Sequence, residues 1–266
     1  MHITIIGAGW LGLPLAERLR QRGHRVLATT TTATKLATLR SCGAEPRLLD
    51  LDAPEPFPKI VTDLLVITPP PGRGAQHVVE RHRNRHERLL RELVADGTPR
   101  VVYLSSTGVY PNTNTRTDET TPPDPVRPSG AAMLAGEAVW RSSGLPWTIF
   151  RLAGLVGGTR QPGRWFAGKT NVPGGSARVN MVHRTDCLRA LERTVADPTL
   201  VGIFNLCADE HPERREFYRK QAEKHGFVPP EFATGSAAEQ AYKLVDNRKF
   251  KRIARFAYAH PDPNQF

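Results

Sequence analysis

The chain opens Met1-His2-Ile3-Thr4-Ile5-Ile6-Gly7-Ala8-Gly9-Trp10-Leu11-Gly12, so three glycines spaced Gly-x-Gly-x-x-Gly stand between a short apolar run and the helix-forming stretch 13–22. That spacing constrains the start of the chain to a strand, a tight turn and a helix. In such a unit Gly7 allows the turn, Gly9 lets a pyrophosphate approach the backbone, and Gly12 lets the helix pack closely on the strand. The helix N-terminus carries unpaired N–H groups and the positive end of the helix dipole, which favour a negative group. The expectation is a dinucleotide clamp in which Gly7, Gly9, Trp10, Leu11 and Gly12 contact the cofactor.

Strand-like apolar runs recur at 3–6, 25–29, 47–51, 64–68, 101–105 and 147–152, with helical patterns between them. This alternation predicts an α/β fold with a parallel, doubly wound sheet and right-handed crossovers. Ligands of such sheets lie beyond the carboxyl ends of the strands, which directs attention to Thr68 and Pro69 after the fourth run and to Ser105 after the fifth. After residue 152 the texture changes to loops rich in Gly, Pro and Arg, such as Gly157-Gly158-Thr159-Arg160-Gln161-Pro162-Gly163-Arg164. The reading is a dinucleotide-binding core at 1–152 and a small C-terminal substrate-facing lobe at 153–266, whose late elements pack back on the core as one structural unit.

At 266 residues and 39% hydrophobic content the chain is large enough to bury a core. Its apolar runs are of strand length, so no membrane span is expected, and the first residues lack the pattern of a secretory leader. The expected location is the cytoplasm. Cys42, Cys187 and Cys207 stand far apart, which argues against a disulfide framework and a zinc site. The 37 Lys+Arg against 26 Asp+Glu give a net charge of +11. The densest basic stretches, 81–88 and 243–255, carry apolar residues at helical spacing and read as solvated faces of amphipathic helices rather than a nucleic-acid surface. The expected partner is a small-molecule substrate, with the protein a monomer or homodimer.

An NAD-binding unit normally has an Asp or Glu at the end of its second strand, to accept from the ribose 2′-hydroxyl. Here the segment reads Leu27-Ala28-Thr29-Thr30-Thr31-Thr32-Ala33-Thr34-Lys35. No carboxylate repels a 2′-phosphate, and Thr29, Thr30, Thr31 and Lys35 offer hydroxyls and a charge to bind one, so NADP is favoured, with NAD as the alternative. A threonine of the run also suits the cap of the next helix.

Four stretches in order carry a resemblance: Gly9-Trp10-Leu11-Gly12, Leu104-Ser105-Ser106-Thr107-Gly108-Val109-Tyr110, Phe150-Arg151-Leu152-Ala153-Gly154-Leu155-Val156-Gly157 and Val182-His183-Arg184-Thr185-Asp186. They resemble the landmarks of the extended short-chain dehydrogenase/reductases, the NAD-dependent epimerase/dehydratase superfamily. The stretches 163–169, 179–183 and 205–212 are similar to its atypical YeeZ-like branch. The resemblance implies a Rossmann-type fold and an oxidoreductase acting on a small, anionic carbonyl, imine or nucleotide-sugar-like substrate. It leaves open a non-catalytic dinucleotide-binding sensor or scaffold, and a sugar-nucleotide epimerase or dehydratase.

The family reaction uses a Ser or Thr that holds the substrate oxygen, a Tyr that exchanges the proton, and a Lys four residues later that lowers the tyrosine pKa. By resemblance the serine is Ser106, with Thr107 beside it toward the substrate. The Tyr and Lys positions fall on Ser129 and Met133, which cannot run that relay. Tyr110 and His183 are the candidate replacements, each of which also reads as a packing residue. Arg160, Arg164 and Lys169 suit an anionic substrate or are solvated loop charge.

Overall fold

Along the chain the elements run β1 (His2–Ile6), α1 (Gly12–Gln21), β2 (Arg25–Thr30), α2 (Leu36–Ser41), β3 (Glu45–Leu48), β4 (Ile60–Val61), β5 (Leu64–Ile67), α3 (Val78–Glu92), β6 (Leu93–Val94) and β7 (Arg100–Ser106). They continue with β8 (Arg116–Thr117), α4 (Pro128–Arg141), β9 (Trp147–Leu152), β10 (Gly154–Val156), β11 (Met181–His183), α5 (Arg184–Ala196), β12 (Gly202–Leu206), α6 (Arg214–Lys224), β13 (Leu244–Val245) and α7 (Arg248–Ala254). The computed structural model describes residues 1–54, 57–72, 77–94, 98–234 and 240–266. Seven strands form one sheet in the order β12-β9-β7-β5-β1-β2-β3, a Rossmann-like α/β arrangement. The pairs β1 with β2, β1 with β5, β2 with β3 and β5 with β7 are all parallel.

The central strands read as continuous apolar runs because both faces of a parallel sheet are covered. All of β5, Leu64 to Ile67, is buried, as are Ile3, Ile5 and Ile6 of β1. The apolar run expected at 47–51 becomes strand earlier, at Glu45–Leu48. The chain then leaves the ladder after the Leu49 N–H donates to Thr30 O (2.9 Å), and an Asx turn follows in which the Asp52 N–H donates to Asp50 Oδ1 (2.9 Å). Strand β12 was not among the runs expected from sequence. No helix among the described residues is long and apolar enough to cross a membrane.

Contacts divide the chain into two units, neither of them continuous in sequence. The first holds Met1–Val109, Pro125–Arg151 and Leu191–Ile203, and the second Tyr110–Asp124, Leu152–Ala190 and Phe204–Phe266. A single cut at 152/153 therefore describes one crossing of the chain and misses the others. Inside the first unit Arg151, 2% exposed at its side chain, meets the wholly buried Glu137 through Nη2–Oε2 (2.6 Å) and Nε–Oε1 (3.0 Å). This bidentate pair joins β9 to α4 with both charges matched.

Candidate functional site

The glycine turn is built by three strands at once. Gly7 sits at φ +84°, a region open to glycine and strained for other residues. Its N–H donates to Thr29 Oγ1 (3.0 Å) and its carbonyl accepts from Thr68 Oγ1 (2.5 Å), while the Ala8 N–H donates to Thr29 O (2.6 Å). A Cβ on Gly7 would lie 2.8 Å from Pro69 Cγ and 2.9 Å from Thr68 Oγ1, and one on Gly12 would strike the Gly7 carbonyl oxygen. Gly9 differs: a Cβ there meets nothing within 4 Å. The close packing thus falls on Gly7 and Gly12, and open space on the middle glycine.

Helix α1 begins at Gly12 with Leu11 as its cap residue, with no side-chain cap bond and no acidic residue in its first turn among the described residues. Its positive end faces the turn with nothing acidic to compete for it. Leu11 is 6% exposed, so it serves the turn through its backbone. These features fit a dinucleotide: a backbone cradle that a side chain at position 9 would fill, at the amino end of a helix.

The threonines after β2 divide by partner. Thr29 and Thr30 are buried, and their hydroxyl oxygens accept backbone N–H groups, from Gly7 and from Thr32 (3.2 Å) respectively. They shape the turn. Thr31, Thr32, Thr34 and Lys35 are exposed, and no acid stands among residues 29–35. Of the residues expected to meet a 2′-phosphate, Thr31 and Lys35 stand exposed, with Thr32 and Thr34 beside them.

Four expectations for the end of β7 and the loop after it meet the geometry differently. Ser105 does not face a ligand: it is 3% exposed and its hydroxyl donates to Glu137 Oε1 (2.6 Å), drawn inward by the buried ion pair. Thr107, 7% exposed, has its side chain in the interior rather than toward a substrate. Tyr110 cannot serve as proton donor, because it is wholly buried and its hydroxyl donates to Asn205 Oδ1 (2.9 Å). Ser106 remains half-buried, and its Oγ accepts from the Gly108 N–H (3.0 Å), an arrangement that leaves the hydroxyl hydrogen to donate.

On α4, Ser129 is exposed in the first turn and Met133 is buried. Met133 Sδ accepts from the Tyr103 hydroxyl (3.0 Å), the end of a buried polar chain. In that chain Trp140 Nε1 donates to His86 Nδ1 (2.6 Å), and His86 Nε2 lies 3.1 Å from His82 Nε2, itself 2.9 Å from the Tyr103 oxygen. The indole can only donate, so neutral His86 carries its proton on Nε2 and His82 Nε2 accepts there; the single Tyr103 hydrogen is then shared between His82 Nε2 and Met133 Sδ, and the His82 proton sits on Nδ1, which has no partner among the described residues. Burial first, then Arg85 and Arg81, hold His82 down at about 4, and burial followed by His82 keeps His86 well below its usual value. Both rings are neutral at pH 7.

The second unit holds the remaining candidates. His183 is half-buried, its ring 3.9 Å from that of His260 and 5.5 Å from that of Phe266, and its Nδ1 accepts from the Thr185 N–H (3.3 Å). Burial, and after it His260, lower its pKa, so it is an imidazole at neutral pH with the proton on Nε2. Gly157, at φ +105°, passes so close that a Cβ would lie 2.5 Å from that nitrogen. Arg164 is exposed over the Phe227 ring (5.6 Å) and Lys169 is exposed over Phe166 (5.4 Å), while the exposed Arg160 exchanges backbone bonds with Gly157.

The basic run 81–88 proves to be more than a solvated face. Arg81, Arg85 and Arg88 line an open cavity of about 660 Å³ with Leu51 and Asp52, beyond the carboxyl end of β3. Arg85 Nε donates to Asp52 Oδ1 (2.7 Å), while His82 and His86 point into the core. Periodicity gave the helix; nothing local to it gave the Asp52 partner.

The NAD(P)H-binding family model matches residues 7–198. Protein YeeZ of Escherichia coli (strain K12) is 36% identical over 275 residues, covering 98% of this chain and 97% of that protein. A functionally unknown conserved protein from Silicibacter pomeroyi DSS superposes with a TM-score of 0.78 at 25% identity, covering 99% of this chain and 95% of that one. UDP-glucuronic acid 4-epimerase from Bacillus cereus, solved with UDP-glucuronic acid and NAD, shares the fold with a TM-score of 0.78 at 16% identity, over 100% of this chain and 96% of that one. With the glycine turn inside the matched span and the relation to YeeZ running the length of both proteins, the chain belongs to the NAD(P)H-binding family.

Proposed function

We propose that this protein is an NADP(H)-dependent oxidoreductase acting on a small, anionic carbonyl, imine or nucleotide-sugar-like substrate. The cofactor is held by the backbone of residues 7–12 and the amino end of α1, with Thr31 and Lys35 on the 2′-phosphate. The preference for NADP is supported by the absence of a carboxylate from residues 29–35, where an NAD-binding unit normally has one. When bound, the dihydronicotinamide supplies hydride to the substrate carbon.

The observation that carries the reaction is the state of Ser106. Its hydroxyl stands half-buried at the carboxyl end of β7, oriented by the Gly108 N–H with its hydrogen free to donate. Donation to a carbonyl oxygen stabilises the negative charge that grows there as the carbon is reduced. The proton itself comes from water, since Ser129 is a poor acid at neutral pH and Met133 has no charge. Epimerases and dehydratases depend more heavily on the tyrosine that position 129 lacks, which places a sugar-nucleotide epimerase behind a reductase.

Calorimetric titration tests the cofactor, with NADPH expected to bind more tightly than NADH; equal affinity or an NADH preference refutes the NADP assignment. Oxidation of NADPH on a panel of anionic carbonyl and imine substrates tests the reaction. Ser106→Ala is expected to lower the rate about a hundredfold with cofactor affinity preserved. A second reading, a dinucleotide-binding sensor, is favoured by the loss of both Tyr and Lys from α4. It takes over if the panel gives no turnover while NADPH alters oligomeric state or affinity for a partner protein.

A further inference from the structure

In a doubly wound sheet, helices cover both faces. Ile5 faces α1, with its Cγ2 3.3 Å from the position of a Cβ on Gly12, so its neighbours Thr4 and Ile6 face the opposite side of the sheet. On that side the connection from β3 to β5 contains no helix among its described residues, only the short β4, and a cavity of about 270 Å³ remains over β1, β2 and β3. Its apolar lining comes from Ile6, Leu27, Leu49 and Ile60, each less than a tenth exposed.

Two polar atoms of the lining lack partners. Thr4 is 1% exposed, and its Oγ1 has no hydrogen-bond partner among the described residues. The same holds for the buried Nε2 of His2, two positions earlier on the same face. A buried hydroxyl without a partner costs stability and is rare in native interiors, so its presence in a cavity marks a place for a ligand atom. The rim is charged and out of balance. Arg25 and Arg47 share one carboxylate, Glu45, at 3.4 and 3.6 Å, and Lys59 meets Glu92 at 2.7 Å, a carboxylate that Arg91 also holds at 3.1 Å. Among the described residues the cations at the mouth outnumber the carboxylates they pair with.

We infer that this cavity is a second ligand site, beside the glycine turn with which it shares Thr29, for a small carboxylate with a flat apolar body. The body lies on Ile6, Leu27, Leu49 and Ile60, the hydroxyl of Thr4 bonds a polar atom of the ligand, and the carboxylate is drawn to the excess positive charge of Arg25 and Arg47, which share Glu45. The volume suits an aromatic acid, since cavities of about 150 Å³ accept benzene. Nothing in this inference depends on the dinucleotide reading.

The test is ligand-observed NMR on the full chain without nucleotide, with benzoate, phenylacetate and cinnamate as probes against their amides. The carboxylates are expected to bind at about 1 mM or tighter and the amides about tenfold more weakly. Thr4→Val, which keeps the shape and removes the hydroxyl, is expected to weaken binding about fivefold, and Arg47→Gln about tenfold or more. Ile60→Trp, which fills the cavity, is expected to abolish binding, with the melting temperature of each variant confirming that it is folded. Absence of saturable binding by all three acids overturns the inference, as does binding indifferent to Thr4→Val and Arg47→Gln, or equal binding of acids and amides. NADPH titrations of the same samples separate this outcome from a failure of the cofactor assignment.

Discussion

Gly9→Ala and Gly12→Ala look alike in sequence and should behave in opposite ways. A Cβ on Gly9 meets nothing within 4 Å, and the residue lies outside the left-handed region, so the folded chain accepts alanine there without strain. Removing a glycine's freedom from the unfolded chain at such a site stabilises by about 0.4–1 kcal/mol, or about 1 to 4 °C for a protein of this size. The methyl instead occupies the space a pyrophosphate needs. At the usual overpacking cost of about 1–3 kcal/mol, NADPH affinity falls about 5- to 150-fold. On Gly12 the methyl strikes the Gly7 carbonyl oxygen, a backbone atom held by Thr68, so the same cost falls on folding. Thermal melts and calorimetric titration of the two variants separate the effects. A Gly9→Ala protein that melts lower than wild type, or that binds NADPH with wild-type affinity, refutes the division of labour between the glycines.

Tyr110→Phe is expected to leave turnover unchanged and lower stability by about 1–3 kcal/mol in chemical denaturation, because Asn205 Oδ1 loses its donor in the interior. Glu137→Gln removes the charge that pairs bidentately with the buried Arg151 and is expected to cost about 3–5 kcal/mol, read as a shift in the urea midpoint. Acid should destabilise the protein early. His82 and His86 have folded pKa values below the unfolded 6.5, so the unfolded chain binds protons that the folded chain refuses, and stability declines as pH falls from 6.5 toward about 4, the His82 value. Urea midpoints between pH 7 and pH 4 measure the decline, and a flat profile contradicts the neutral rings in the core.

The sheet was legible because its strands are buried on both faces and read as unbroken apolar runs between helical patterns. The glycine turn was legible because conformational demands select glycine at fixed spacing. Hydroxyl direction was not legible. Ser105 and Ser106 are adjacent, yet Ser105 turns to Glu137 and Ser106 stays half-buried, a choice made by an ion pair whose members lie 32 and 46 positions on from Ser105 in a chain of known sequence. Tyr110 read as a possible acid because its partner Asn205 comes 95 positions later. The run 81–88 gave its helix by period and hid two buried histidines, because their polar partners Tyr103 and Trp140 belong to β7 and α4.

The bonds on Gly7 also set an order of events during synthesis. Its N–H is held by Thr29 and its carbonyl by Thr68, so the turn acquires its shape only after β2 and β5 have joined β1. A nascent chain ending before Thr68 has every glycine of the motif and no finished cradle. Nucleotide affinity is then a property of the assembled half-sheet rather than of the motif, and a bound nucleotide adds its free energy to the assembled form alone. A bound dinucleotide would thereby draw newly made chains toward the native sheet and act as a folding ligand.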